Sequence, residues 1–125
     1  MMDLDDFKSV NDQFGHREGD RALKGFADLL SRLVEGAESD VEFGRWGDEE
    51  FILFATSDDP EKVTAFAESV RSGFEKAPID DRYAHTVSIG MTRVREDETP
   101  ESAIGRFDNA MYQAKRAGKN RVVSL

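Results

Sequence analysis

The chain has 125 residues, with 17 Lys and Arg against 26 Asp and Glu, and a formal net charge of −9. This length suits a single folded domain, and the charge argues against a surface for nucleic-acid polymers or for anionic membranes, which need clustered cations. The absence of cysteine excludes disulfides, thiolate catalysis and Cys-bound zinc, and we expect a cytoplasmic domain without direct membrane contact.

The first part of the chain is predicted to form a strand, a polar segment and a helix. Met1 to Leu4 is a short apolar strand segment that runs into acids. The densest polar stretch of the chain follows at once and extends to Asp20. From Gly19 the apolar residues follow the spacing of one buried helical face, and Gly36 is expected to end this helix.

A β-hairpin is predicted over residues 40 to 56, because an alternating segment precedes an acidic turn and a continuous apolar run follows it. The apolar run from Phe51 to Ala55 is typical of a central strand covered on both faces. The turn carries Asp48, Glu49 and Glu50 in a row, and Trp46 before it is interpreted as a core residue.

Two further helices are predicted to begin at Asp59 and Thr99, each of which can cap a helix and is followed by proline. A strand is predicted between them, over residues 83 to 94, and another closes the chain. The order β-α-β-β-α-β-α-β indicates an α+β fold. We expect a ferredoxin-like, mainly antiparallel sheet with helices packed on it.

The polar stretch after the first strand has two open interpretations. Carboxylates at a strand end can hold Mg²⁺, Lys8 can neutralise phosphate, and Asn11 and Asp20 can recognise a purine edge. An EF-hand is excluded, because its obligatory glycine would fall on Lys8. The alternative is an ordinary loop of turn-forming and capping residues.

The basic segment near the C-terminus is equally ambiguous. Lys115 lies in the last turn of the third predicted helix and Lys119 just beyond its glycine. Such cations can compensate the helix dipole, or they can bind a triphosphate. The two histidines, His16 and His85, are interpreted as structural residues, which leaves no multi-histidine metal site.

Four segments together resemble the GGDEF family, the diguanylate cyclases of bacterial cyclic-di-GMP signalling. They are "DLDDFKSVNDQFGHREGD", "RWGDEEF", "VSIGM" and "YQAKRAGKN", and the resemblance runs from residue 1 to about residue 123. The signature is a variant, GDEEF. The resemblance implies a five-stranded sheet related to the palm of nucleotidyl cyclases. It also implies that residues 1–125 form a single GGDEF domain, N-terminally truncated and cut from a larger multidomain signalling protein.

The resemblance further implies a role for each matching residue. Asp3, Glu49 and the Leu4 carbonyl would hold Mg²⁺ or Mn²⁺, and Glu50, with Glu49, would serve catalysis. The expected triphosphate ligands are the Phe7 backbone amide, Lys8, Lys115 and Lys119. Asn11 and Asp20 would recognise guanine. The activity would be a nucleotidyltransferase reaction that joins two GTP into cyclic di-GMP in a homodimer, with sensory or phosphodiesterase domains in the same chain.

The chain departs from the family pattern at four points. Asp48 replaces the second signature glycine and adds a negative charge beside the expected triphosphate. Glu38 or Ala37 stands where the inhibitory product site has an arginine, so no such site is expected. Lys119 replaces an arginine, and the family's segment upstream of the first strand is not in the sequence.

Two functions therefore remain open from the sequence. One is a working cyclase that produces a bacterial second messenger. The other is a degenerate GTP-binding regulatory module, which controls an attached domain such as a phosphodiesterase.

Overall fold

A computed structural model describes residues 1–80 and 82–125. Within these residues, five strands and four helices follow one another. They are β1 (Met2–Leu4), α1 (Phe7–Phe14), α2 (His16–Glu35), β2 (Asp40–Arg45), β3 (Glu50–Thr56), α3 (Pro60–Glu75), β4 (Val87–Met91), α4 (Pro100–Arg116) and β5 (Val122–Ser124).

The strands form one five-stranded sheet in the order β2-β3-β1-β4-β5. The β2–β3, β1–β3 and β1–β4 pairs are antiparallel, and β4–β5 is parallel. This confirms the predicted α+β fold with a mainly antiparallel sheet. No helix in the described parts of the chain is long and apolar enough to cross a membrane.

Both predicted proline-led helix starts are confirmed. The Asp59 side chain accepts a hydrogen bond from the Glu61 amide at 2.9 Å, and Thr99 accepts one from the Ser102 amide at 3.3 Å. These contacts satisfy amides that a helix leaves free in its first turn.

The polar stretch after β1 is helical, so its interpretation as an ordinary loop is wrong. Phe7, Val10 and Phe14 recur at helical spacing and form the inner face of α1, and Gly15, with φ of 89°, turns the chain into α2. Helix α2 therefore begins at His16 and not at Gly19. The strand predicted over residues 83 to 94 is shorter, Val87–Met91.

Hydrophobic clusters lie on both faces of the sheet. The larger one includes Phe26, which contacts Phe51 and Phe74 edge-to-face at centroid distances of 5.0 and 4.8 Å. The smaller one joins Met1 and Ile52 to the α4 residues Ala103 and Phe107. These clusters fix α2, α3 and α4 against the sheet.

Two predictions of burial are wrong in the hairpin. Trp46 is 50% exposed, because it lies in the turn between β2 and β3, beyond the packed part of the sheet. In β3 only Phe51 and Ile52 are fully buried, whereas Phe54 is 52% exposed. The strand is thus covered on both faces only near its start, where β1 pairs with it.

Candidate active site

Strand pairing brings the predicted acidic residues together at one end of the sheet. Asp3 in β1 lies opposite Glu50 in β3, and the Leu4 amide donates to the Glu49 carbonyl at 3.1 Å. Three of the predicted metal or catalytic residues thus lie around the β1–β3 junction. All three are partly buried.

The carboxylates at this junction repel one another. Burial raises the pKa of Asp3, and the ammonium group of Lys115 only partly offsets that rise. Burial, followed by the negative charge of Asp3, raises the pKa of both Glu49 and Glu50. A bound cation would relieve this repulsion.

Lys115 is the counter-ion of the junction. From the last turn of α4, its Nζ lies 2.7 Å from Asp3 Oδ1 and 2.6 Å from Asp5 Oδ1. The interpretation of Lys115 as simple compensation of the helix dipole is therefore incomplete, because its ammonium group reaches across the sheet to β1.

Asp5 is a site residue that the sequence reasoning missed. Its buried side chain accepts hydrogen bonds from Ser88 Oγ at 2.6 Å, Thr86 Oγ1 at 2.8 Å and the Asn120 amide at 3.0 Å, besides that of Lys115. Burial acts to raise the pKa of Asp5, but these hydrogen bonds, led by that of Lys115, hold it below its ordinary value. A signal was available, since Asp5 follows a buried strand and precedes a helix.

Lys8, Lys119 and the Phe7 amide lie around the start of α1. Phe7 is its first residue, and the amides of a first turn lack partners within the helix. Lys119 Nζ lies 2.6 Å from Asp6 Oδ1, and both residues have left-handed backbones, with φ of 63° and 56°. Lys8 is exposed in the same turn of α1. The two lysines therefore lie close to the segment that connects β1 to α1.

At the corner between α1 and α2, Asn11 lies beside Gly19, the residue that precedes Asp20. Asn11 Oδ1 is buried and accepts no hydrogen bond from the described residues. A Cβ atom on Gly19 would lie 1.9 Å from it, so only glycine leaves room for the present Asn11 side chain. Asp20 is exposed at this corner. An unsatisfied buried acceptor next to an exposed carboxylate is suited to binding a polar ring.

Asp48 lies in the turn without backbone strain. Among the described residues, the non-glycine positions with positive φ are Asp6, Lys119 and Asn120, so position 48 does not require glycine for its conformation. Arg45 Nη2 donates to the Asp48 carbonyl at 2.7 Å. The added negative charge still affects the site, because Asp48 raises the pKa of Glu49, although less than burial and Asp3 do.

The remaining predicted positions are peripheral. Glu38 is exposed and lies 3.4 Å from Lys62, and the absence of an inhibitory product site stays a prediction. His85 is buried against Tyr83 and Phe74, in agreement with a structural role, whereas His16 is the exposed first residue of α2.

The donor set is smaller than a complete metal site and fits a metal whose remaining ligands are water or substrate phosphates. Within residues 1–80 and 82–125, no group of three or more His, Asp and Glu side chains could hold a metal ion by itself. Mg²⁺, however, commonly uses one or two carboxylates together with substrate phosphates. The mutually repelling Asp3 and Glu49, with the Leu4 carbonyl, match that smaller requirement.

Comparisons with known proteins show the family of the chain. The family model "Diguanylate cyclase, GGDEF domain" matches residues 1–121. The chain is 38% identical to diguanylate cyclase VdcA of Vibrio cholerae over 131 residues, which cover 100% of the chain and 38% of VdcA. It is 35% identical to diguanylate cyclase DgcM of Escherichia coli, covering 99% of the chain and 30% of DgcM. The chain thus spans about a third of the length of these curated relatives.

Solved structures show the same fold. Diguanylate cyclase SiaD of Pseudomonas aeruginosa, in complex with its activator SiaC, superposes with a TM-score of 0.90 at 31% identity, covering 99% of the chain and 48% of SiaD. The GGDEF domain of DgcB from Caulobacter crescentus, in complex with c-di-GMP, gives 0.86 at 31% identity, covering 98% and 74%. The chain therefore belongs to the GGDEF family of diguanylate cyclase domains.

Proposed function

We propose that this GGDEF domain binds GTP with Mg²⁺ or Mn²⁺ and, as a homodimer, condenses two GTP into cyclic di-GMP and two pyrophosphates. The observation that carries the proposal is the meeting of Asp3, Glu49 and Glu50 at one strand junction, opposite Lys115. Family membership supports it, since VdcA and DgcM are diguanylate cyclases.

Asp3, Glu49 and the Leu4 carbonyl are the residues that would hold the metal. When bound, the metal supplies positive charge that stabilises the negative charge developing on the phosphate oxygens. Glu50 adjoins this set as the register partner of Asp3. The raised pKa values of the three carboxylates support a site that favours a cation.

The rest of the nucleotide would lie along α1. Lys8, Lys119 and the Phe7 amide would bind the triphosphate at the helix start, where the dipole favours anions. The unsatisfied acceptor of Asn11 and the carboxylate of Asp20 would bind donors on guanine. These assignments would place the phosphates at the start of α1 and the base between its middle and α2.

The reaction needs two domains. Each GTP uses its 3′-oxygen to attack the α-phosphorus of the other, a new P–O bond forms, and the bond to pyrophosphate breaks. The hydroxyl proton passes to a base, for which Glu50 is the candidate, because burial and Asp3 raise its pKa and favour its protonation. One nucleotide site per domain makes a homodimer necessary for both attacks.

A degenerate GTP-binding module is the second candidate, and the charge of Asp48 favours it. At an effective dielectric near 20, an added charge about 5 Å from a phosphate costs on the order of 3 kcal/mol. Expressed in the transition state, that cost reduces turnover by more than about a hundredfold. GTP would still bind, and the domain would regulate an attached domain such as a phosphodiesterase.

The test compares the intact protein with its Asp48→Gly variant in GTP and Mg²⁺, with cyclic di-GMP measured by chromatography. Product from the parent supports the cyclase. Product from the Asp48→Gly variant and none from the parent supports the regulatory module, because the glycine is then the one feature that the parent site lacks for catalysis. Absence of GTP binding by both proteins, measured by calorimetry with Mg²⁺, contradicts both candidates.

We place this activity in the cytoplasm, in a longer signalling protein that carries sensory or phosphodiesterase domains. The relatives support the second point, because VdcA and DgcM extend well beyond the matched region. We also expect no inhibitory product site, since Glu38 and Ala37 offer no cation where the family has arginine.

A further inference from the structure

The ammonium group of Lys115 is shared by two carboxylates whose surroundings differ. It lies 2.7 Å from Asp3 Oδ1 and 2.6 Å from Asp5 Oδ1, and its contact to the Asp3 carbonyl is 3.4 Å. The two ion pairs are nearly equal in length. Their different environments therefore decide which pair can be given up.

Asp5 is saturated with donors. Ser88 Oγ and Lys115 Nζ donate to its Oδ1, while Thr86 Oγ1 and the Asn120 amide donate to its Oδ2. Its side chain is 1% exposed. Lys115 is the one cation in this set, so its departure would leave a buried carboxylate with neutral donors only, which is strongly unfavourable.

Asp3 has a looser environment. Its side chain is 15% exposed, and Lys115 is its one side-chain donor in the described part of the chain. It lies opposite Glu50, the first residue of β3, and near Glu49 in the preceding turn, and these negative charges favour any further cation. A divalent cation can therefore replace the ammonium group at Asp3 without leaving that carboxylate unpaired.

We propose that Asp5 is the permanent counter-ion and positioning residue of Lys115, and that Lys115 neutralises Asp3 only until a divalent cation replaces it there. The exchange frees one side of the ammonium group for an anionic ligand while Asp5 keeps it at the site. This inference rests on the proposed function in one respect, namely that the anion is the triphosphate.

The first test measures the binding of Mn²⁺ alone, without nucleotide, by electron paramagnetic resonance. Lys115→Met keeps most of the apolar side chain and removes its charge, so Mn²⁺ is expected to bind at least about tenfold more tightly than to the parent. Lys62→Met is the matched control, because it removes a surface lysine paired with Glu38. Unchanged or weaker affinity in Lys115→Met, or no binding by either protein, overturns the exchange.

Asp3→Asn shows where the gain in affinity arises. In the Lys115→Met background this second change is expected to return Mn²⁺ binding to the parent level or below. A gain that persists in the double variant would place the metal elsewhere and would contradict the proposal.

The second test compares the two ion pairs by double-mutant cycles in urea unfolding. Without metal, both Asp3→Asn and Asp5→Asn are expected to couple to Lys115→Met. With saturating Mn²⁺, the coupling to Asp3 disappears, whereas the coupling to Asp5 stays at about tenfold or more in the unfolding constant. Loss of both couplings, or of neither, overturns the proposal. Sucrose stabilises the folded state and keeps Asp5→Asn in the measurable range.

Neither test uses GTP, so the two proposals fail separately. A parent protein that exchanges Lys115 for Mn²⁺ but binds no GTP contradicts the proposed function alone. A parent protein that makes cyclic di-GMP, but whose Mn²⁺ affinity is insensitive to Lys115→Met, contradicts this inference alone.

Discussion

The carboxylate of Asp5 lies at the same end of the sheet as those of Glu49 and Glu50, but its pKa is shifted in the opposite direction. Asp5 accepts four hydrogen bonds, and its pKa is held low. Glu49 and Glu50 lie next to Asp3 in a half-buried site where burial and repulsion raise their pKa values. The difference separates a carboxylate that stabilises the fold from carboxylates that favour a ligand.

The largest expected effect comes from Asp5→Ala, which should lower the free energy of unfolding by about 3 kcal/mol, because three neutral donors lose their acceptor and Lys115 keeps only Asp3. Urea unfolding followed by circular dichroism measures it. Asp12→Ala is the control, since this exposed α1 carboxylate should change stability by less than about 0.5 kcal/mol. Equal effects of Asp5→Ala and Asp12→Ala would show that Asp5 stabilises the fold no more than an exposed carboxylate does.

The pH dependence of stability should show both kinds of carboxylate. For Asp3, Glu49 and Glu50 the folded pKa is raised, so their protonated forms stabilise the fold at low pH, and this stabilisation is lost as the pH rises through the folded values. For Asp5 the folded pKa is lowered, so its contribution is present above the unfolded value of about 3.9 and is lost at lower pH.

Urea unfolding as a function of pH checks these signs. We expect stability to increase as the pH falls from neutrality into the mildly acidic range, and then to decrease as Asp5 becomes protonated. The Glu49→Gln/Glu50→Gln double variant should weaken the first increase and leave the second decrease. An unchanged profile in that variant would show that repulsion in the turn does not contribute.

Glu50→Gln should separate stability from activity. Removing one of the repelling charges is expected to increase the free energy of unfolding by up to about 1 kcal/mol, while cyclic di-GMP formation, where the parent shows it, should fall by at least about a hundredfold. Thermal unfolding and product chromatography measure the two effects. Loss of both stability and activity would place Glu50 with Asp5, as a structural carboxylate.

The smallest effect on stability is expected from glycines within helices. Gly19→Ala should displace Asn11 and weaken GTP binding by about tenfold, with stability changed by less than about 1 kcal/mol, since the clashing atom ends a side chain that can rotate. Gly105→Ala in α4 is the matched control, because its added Cβ meets nothing within 4 Å. It should stabilise by about 0.5–1 kcal/mol and leave GTP affinity unchanged.

The sequence predicted most of the sheet, because alternation and proline-led caps are local signals. It did not predict α1, since turn-forming residues are as numerous in this segment as the three apolar positions that anchor the helix. Trp46 was assigned to the core by residue type, but its exposure depends on where the turn ends relative to β1, which is a tertiary property.

At the candidate site, the proximity of the acidic residues could be predicted from the sequence, whereas the contacts of Asp5 could not. Asp3, Glu49 and Glu50 meet as expected, because strand pairing brings the end of β1 to the start of β3. The role of Asp5 depends on donors from Ser88 and Asn120, which lie 83 and 115 residues away in sequence. Such long-range partners leave no periodic pattern in the chain.

Gly90 lies outside the candidate site but constrains the position of Lys115 within it. A Cβ atom at this position of β4 would lie 2.1 Å from the Met111 amide nitrogen of α4, so the helix rests directly on the strand backbone. Lys115 follows Met111 by about one helical turn. Any side chain at position 90 would push α4 away from β4 and withdraw the Lys115 ammonium group from Asp3 and Asp5. The position of this lysine therefore depends on the absence of a Cβ atom at position 90.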